Sequence, residues 1–295
     1  MITSKVAHTH THTHTHTHTL VVVTCPRHTW ISRRLTLTLT RTATGLTLTL
    51  LLTLNQSQHR FVLSLSDFEC LSPPAIRPRH CSDVMASGVS QDGVYSVFPT
   101  HTPNGFMVYC DMATDGGGWT VIQRRVDGSV NFFRGWEAYR DGFGLTTGEH
   151  WLGLQRIYSL TRSGGFQLRI DMADFDNATA FACYADFSVG RNSVNPEEDG
   201  YPLTVDQYSG TAGDSLLKHS GMRFTTKDQD QDQSENNCAV YYQGAWWYRN
   251  CHTSNLNGQY LRGGHASYAD GIEWSSWTGW QYSLRFTEMK IRASE

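Results

Sequence analysis

Gly117-Gly118-Trp119-Thr120-Val121-Ile122-Gln123-Arg124-Arg125 is the stretch on which the reading of this chain turns. The glycines from Gly116 to Gly118 break whatever precedes them, and the β-branched and aromatic run from Trp119 to Gln123 suits a pleated, packed strand. Upstream, Gly93 to Phe98 and Phe106 to Cys110 read as two more short strands. Downstream, Asp127-Gly128 is a tight-turn dipeptide able to close a hairpin, and Glu137 to Gly142 predicts a short helix. Phe166 to Asp171 and Ala180 to Val189 alternate as half-buried strands do, with Phe181, Cys183, Ala185 and Phe187 on one face. Strands mixed with short helices make the fold class α+β. Beyond Gly190 the chain turns irregular, with Pro196, Asp199-Gly200 and Pro202, and loops of that length in a compact domain tend to be functional.

The texture changes sharply at the other end. Residues 1–66 are built from Thr, His, Leu and Ser, with alternating Thr-His from His8 to Thr19 and largely alternating Thr-Leu from Leu35 to Leu54. Such simple repeats are expected to lack a packed fold, and a lone alternating tract has no strand partner. A low-complexity leader over 1–80 and one domain over 81–295 is therefore expected. Gly45 to Leu54, following Arg33, Arg34 and Arg41, approximates the charged and apolar parts of a secretory signal. No run reaches the roughly 20 apolar residues that span a bilayer as a helix, so no membrane span is expected.

A formal charge of -3 over 295 residues excludes the strongly basic balance of nucleic-acid binders. Aromatic residues make up 12% of the chain, a load that fits a large core with aromatic surface pockets for sugars or small ligands. Seven cysteines stand at 25, 70, 81, 110, 183, 238 and 251. None sits in a CxxC or Cys/His spacing of the zinc type, so disulfides in an oxidising compartment are expected. The sequons Asn55-Gln56-Ser57 and Asn177-Ala178-Thr179 agree with that compartment.

From Gly117 onward the residues resemble a known family. Gly117-Gly118-Trp119, Gln123-Arg124-Arg125, Phe133-Arg134-Gly135-Trp136 and Gly148-Glu149-His150-Trp151-Leu152-Gly153-Leu154 are similar to the fibrinogen C-terminal domain signature. Asn237-Cys238-Ala239, Cys251-His252, Asn255-Leu256-Asn257-Gly258, Gly271-Ile272-Glu273-Trp274 and Met289-Lys290-Ile291-Arg292 continue it in order. Inside the family, Tyr184 to Ser188 and Glu197 to Tyr201 look most like microfibril-associated glycoprotein 4, with ficolin and tachylectin-type lectins next. The resemblance implies a globular domain with a central mixed or antiparallel sheet, short helices and a long irregular ligand region. It also implies the pairings Cys81–Cys110 and Cys238–Cys251. Cys25, Cys70 and Cys183 stay unassigned, with Cys70 the candidate for a disulfide-linked homo-oligomer and Cys183 read as a buried small hydrophobe.

Asp228-Gln229-Asp230-Gln231-Asp232-Gln233-Ser234-Glu235 spaces carboxylates two apart, so that alternate oxygens can face one centre. Calcium takes about six to eight oxygens at about 2.3–2.6 Å. The run is not an EF-hand, because the sixth and twelfth positions hold Gln233 and Ala239. On spacing alone a solvated acidic loop stands level with a calcium site. The resemblance implies Asp228 and Asp230 as carboxylate ligands, backbone carbonyls near Asp232 and Ser234, and a structural Ca2+.

After that loop come Tyr241, Tyr242, Trp246, Trp247 and Tyr248, most of which read as core. In family lectins an acetyl group sits beside the calcium site. Carried over, Tyr242, Tyr268, Ala269 and Trp280 would wall the methyl group, and N–H groups near Cys251 and His252 would meet its carbonyl. A cis peptide at Asn250–Cys251 belongs to the same expectation. The residues show no GxSxG, HExxH or P-loop, so an enzyme is not expected. The resemblance instead implies a secreted, calcium-supported lectin for N-acetylated carbohydrates in innate recognition, or a matrix protein binding collagen or elastic fibres.

Overall fold

A computed structural model of the chain describes residues 77–294 with their side chains and, ahead of them, four strands by backbone alone. These are β1 (Thr15–Thr19), β2 (Leu35–Thr42), β3 (Gly45–Leu54) and β4 (Ser57–Leu63), paired antiparallel in chain order. The alternating tracts that lack a partner one at a time thus pair with one another in β1 to β3, and the non-repetitive β4 adds to β3. Cys25, Asn55 and Cys70 lie outside the described residues.

Residues Arg77–Glu295 form a separate compact unit. Its chain order begins with α1 (Cys81–Ala86), β5 (Gly93–Val97), β6 (Phe106–Asp111), β7 (Trp119–Arg125) and α2 (Trp136–Asp141). Then come β8 (Phe143–Gly144), β9 (His150–Trp151), α3 (Leu154–Thr161), β10 (Phe166–Ala173), β11 (Thr179–Val189) and β12 (Leu203–Gly210). The last part holds α4 (Cys238–Tyr241), β13 (Ser254–Asn255), β14 (Gly263–Gly264), β15 (Glu273–Trp274), α5 (Ser275–Thr278), β16 (Tyr282–Ser283) and β17 (Phe286–Ala293). The main sheet runs β12-β11-β10-β17-β7-β6-β5, with β9 and β8 attached to β7. Every pairing in it is antiparallel.

The opening stretch explains why β7 sits inside the sheet. Six of its seven residues are buried, Gln123 and Arg125 included, which is the pattern of a strand covered on both faces and not the alternation of a half-exposed one. Gly117 supplies the turn into it with φ 77°, and a Cβ there would collide with the Met112 carbonyl oxygen. The buried polar side chains of β7 are bolts to the far half of the chain. Gln123 Nε2 donates to Leu256 O at 2.9 Å, and Arg125 donates to Leu256 O at 3.0 Å and Gly258 O at 2.8 Å. Glu149 neutralises Arg125 from 3.7 Å and accepts the N–H groups of Val126, Gly128 and Val130 at 2.8–3.0 Å. One carboxylate thereby closes the Asp127-Gly128 turn and balances a buried guanidinium.

The strand β11 shows where alternation misleads. Phe181 and Cys183 do share a face, but Ala180, Ala182 and Tyr184 opposite them are the buried ones. Phe181 instead lies 4.4 Å under the Arg169 guanidinium. Cys183 is half-buried with a free thiol, and burial pushes that thiol up from its ordinary value. The segment after Gly190 gains an edge strand, β12, that its proline and acidic residues concealed. The expected disulfides are present: Cys81–Cys110 ties α1 to β6, and Cys238–Cys251 closes the loop behind α4.

Candidate functional site

Trp246, Trp247 and Tyr248 are fully buried and anchor the irregular region, as their reading as core expects. Trp247 packs on Phe224 at 5.1 Å and Trp151 at 6.1 Å, and its Nε1 donates to Tyr201 O at 2.8 Å. In the chain the acidic loop precedes this plug, and Tyr242 and His252 of the cleft flank it.

The acidic loop is held from both ends. Asp228 Oδ1 accepts the Thr226 hydroxyl at 2.6 Å and the Trp136 N–H at 2.9 Å, which fastens the loop entry to the start of α2. Burial opposes its charge, but these hydrogen bonds hold the Asp228 carboxyl below its usual range. Gly135 makes the approach possible, since a Cβ there would strike Asp228 Oδ2. Further along, Asp230 Oδ1 accepts from Asp232 N at 3.3 Å, and Asp232 accepts from Ser234 N at 2.8 Å and Cys238 N at 2.9 Å. Burial, with the Asp230 carboxylate adding to it, raises the Asp232 carboxyl. Among the described residues no lysine, arginine or histidine forms an ion pair with Asp228, Asp230 or Asp232. All three carboxylates accept protein donors, but only Asp228 reaches outside the loop and α4, to Trp136 at the start of α2, while Asp230, Asp232 and Ser234 follow one another along the loop.

The cleft assembles from four separate places in the chain. The Tyr242 ring meets His252 at 4.6 Å, His252 meets Trp280 at 5.7 Å, and Trp280 meets Tyr268 at 6.1 Å. Ala269, buried and at φ 61°, donates its N–H to Trp280 O at 2.8 Å, and its carbonyl accepts from His252 Nε2 at 3.1 Å. Burial, reinforced by His219, presses the His252 imidazole down to about 3, so it is neutral with its proton on Nε2. The Asn250–Cys251 peptide is cis. The N–H groups of Cys251 and His252 donate to no protein acceptor among the described residues. Tyr268 is 59% and Tyr241 71% exposed, which leaves phenol rings standing at the rim. Asn177, at φ 66° in the turn between β10 and β11, is exposed as an acceptor asparagine must be.

Loop and cleft are joined covalently and by hydrogen bonds. Asp232 receives the Cys238 N–H, Cys238 is bonded to Cys251, and Gln233 N donates to Arg249 O at 2.9 Å. Asn237 caps α4 through Val240 N at 3.0 Å and donates to Thr226 O at 3.0 Å, so helix and loop move together.

Two participants escaped the sequence reading. Tyr241 was grouped with the core rings, yet it stacks edge-on against Tyr242 at 4.9 Å at the surface. The buried His219 donates Nδ1–H to Trp247 O at 2.8 Å and accepts Thr253 N–H on Nε2 at 3.1 Å. It thus pins the residue after His252 to the tryptophan plug. A lone histidine carries no spacing signal, so nothing in the sequence marks it.

A family model described as "Fibrinogen beta and gamma chains, C-terminal globular domain" matches residues 77–294. Fibrinogen C domain-containing protein 1 of Mus musculus is 76% identical over 212 residues, covering 72% of this chain and 46% of that protein. The chain thus spans about half the length of that relative. Microfibril-associated glycoprotein 4 of Bos taurus is 54% identical over 216 residues, covering 73% of this chain and 85% of that protein. The solved fibrinogen-like globe domain of human ANGPTL2 superposes with a TM-score of 0.71 at 45% identity, over 74% of this chain and all of that one.

Proposed function

The chain belongs to the fibrinogen C-terminal domain family, and from that premise we propose that it is an extracellular, calcium-supported binding module for acetylated glycans. The observation that carries this reading is the cleft, in which Tyr242, His252, Tyr268 and Trp280 gather beside two unused backbone donors. An acetamide offers one small methyl and one strong acceptor. An aromatic cup with fixed N–H donors selects for that combination, the blend small ligand sites use. The methyl would enter among Tyr242, Tyr268, Ala269 and Trp280, and the carbonyl would face Cys251 and His252. His252 is neutral and its Nε2 is committed to Ala269 O, so its part is to hold a wall of the cleft and not to move a proton.

Asp230 and Asp232 are the carboxylates that would hold Ca2+, with the Ser234 carbonyl beside them and Asp228 as the loop's anchor. A half-buried carboxyl such as Asp232, pushed up by burial and by the neighbouring Asp230 carboxylate and lacking a basic partner, is what a hard divalent cation relieves. The ion would supply positive charge and rigidity, transmitted through Cys238 to Cys251. Two disulfides agree with an oxidising, extracellular location. A single small cleft binds weakly, so a homo-oligomer joined through Cys70 would gain avidity, by roughly 10²–10⁴-fold.

The test is retention on an acetylated resin with calcium and then with chelator. Calcium-dependent retention released by free N-acetyl sugar supports the reading; no retention with calcium present overturns it. The similarity to microfibril-associated glycoprotein 4 favours a second reading, a matrix protein binding collagen or elastic-fibre proteins. Calcium-dependent binding to those fibres without retention on the resin would select it.

A further inference from the structure

Away from the acidic loop, the segment between β14 and β15 folds three metal-ligating side chains together. His265, Asp270 and Glu273 each bring a donor atom within 4.8 Å of the other two. Glu273 is fully buried, and only 7% of the His265 side chain and 16% of the Asp270 side chain are exposed. His265 Nε2, Asp270 Oδ1 and Glu273 Oε2 are all shut off from solvent without a hydrogen-bond partner. Three orphaned polar atoms meeting in one place are costly, since each loses hydration worth about 1–3 kcal/mol.

The histidine tautomer makes the arrangement specific. His265 Nδ1 faces the Ser267 carbonyl at 3.0 Å, and Asp270 Oδ1 lies 3.7 Å from the same nitrogen, so Nδ1 carries a proton. That leaves a lone pair on Nε2, and Nε2 lies 3.2 Å from Glu273 Oε1. Nε2 and a carboxylate oxygen lie this close only with a proton or a metal cation between them. Among the described residues no lysine or arginine makes an ion pair with either carboxylate. Metal-bound histidines typically donate their second ring N–H to a backbone carbonyl in this way. Gly271 leaves the space open, because a Cβ there would come within 3.0 Å of Nε2.

We propose that His265, Asp270 and Glu273 form a second metal site, for a zinc-class divalent cation and separate from the acidic loop. Nitrogen with carboxylate oxygens suits zinc, where calcium takes oxygen alone. Tetrahedral zinc would hold its donors about 3.3–3.5 Å apart, so a pair at the 4.8 Å limit closes by about 1.3–1.5 Å. The ion would clamp the segment that carries Tyr268 and Ala269, whatever those residues bind.

The test uses the full chain, stripped with chelator, returned to saturating calcium, and dialysed against zinc. A His-rich tract has a metal-binding composition, so the readout is the difference between proteins. The wild type is expected to hold one zinc more per chain than Glu273→Gln, and one more than Asp270→Asn, which lies nearer the surface and spares the fold. Crystals of the wild type soaked in zinc are expected to show an anomalous peak among the three side chains. Equal counts in folded variants, or no peak in the soaked crystal, overturn the site and leave a proton shared between Glu273 and His265 as the occupant. If Glu273→Gln does not fold, Asp270→Asn and the soaked crystal decide.

Discussion

Acidification should loosen the cleft through His219. Burial lowers its imidazole to about 4 in the folded protein, against roughly 6.5 in the unfolded chain. Protonating Nε2 would also turn it from the acceptor of the Thr253 N–H into a second donor facing it. The folded value is depressed, so its stabilisation is complete above the unfolded value and is lost as pH falls from about 6.5 toward 4. Linkage gives the size: at pH 4.5 the unfolded chain has gained about 2.6 kcal/mol more than the folded one from this group. Urea unfolding of wild type and His219→Gln at pH 7 and 4.5 isolates it, because every other titrating group is common to both. The variant should be less stable at pH 7, by about 1–3 kcal/mol for its lost buried hydrogen bonds. The gap should shrink by about 2.6 kcal/mol at pH 4.5. Parallel pH dependences in the two proteins would refute the argument.

Three further outcomes follow from the same contacts. Glu149→Gln strips the counter-charge from the fully buried Arg125 and should cost about 3–5 kcal/mol in denaturant unfolding; a loss under 1 kcal/mol would mean the hydrogen bonds alone suffice. Replacing both Cys238 and Cys251 by Ser opens a loop of 13 residues' separation and should remove roughly 3 kcal/mol, lowering the melting point by about 6–12 °C, with calcium affinity falling alongside. Tyr268→Ala, at a 59% exposed rim position, should leave the melting point within about 2 °C yet weaken retention on acetylated resin; unchanged retention would remove Tyr268 from the cleft.

Much of the fold was legible because local rules and burial agree. The glycine break before Trp119 and the alternation in Phe166 to Asp171 both mark real strands. Edge strand β12 was not, since only Leu203 and Val205 of it are buried and the rest reads as loop. The cleft illustrates the harder limit. Residues 242, 252, 268 and 280 meet through buried contacts of His219, Trp247 and Ala269, and no periodicity encodes a meeting of four distant loops. Family resemblance located those residues; spacing would not have. The His265 cluster was not legible, because Glu273 lies in the family stretch Gly271 to Trp274 while Asp270 and His265 stand three and eight positions upstream in no recurrent motif.

The position of β17 bears on how the protein is made. The last strand of the domain slots between β10 and β7, with three strands of the sheet path on either flank. Until residues 286–293 emerge, the nascent domain is two half-sheets, each presenting an unsatisfied central edge of the kind that recruits foreign strands. A domain without residues 286–293 would keep every side chain of the cleft and loop, and still lack the seam that makes one body of them. Completion of this domain therefore waits on β17, and a domain lacking it should be captured by chaperones.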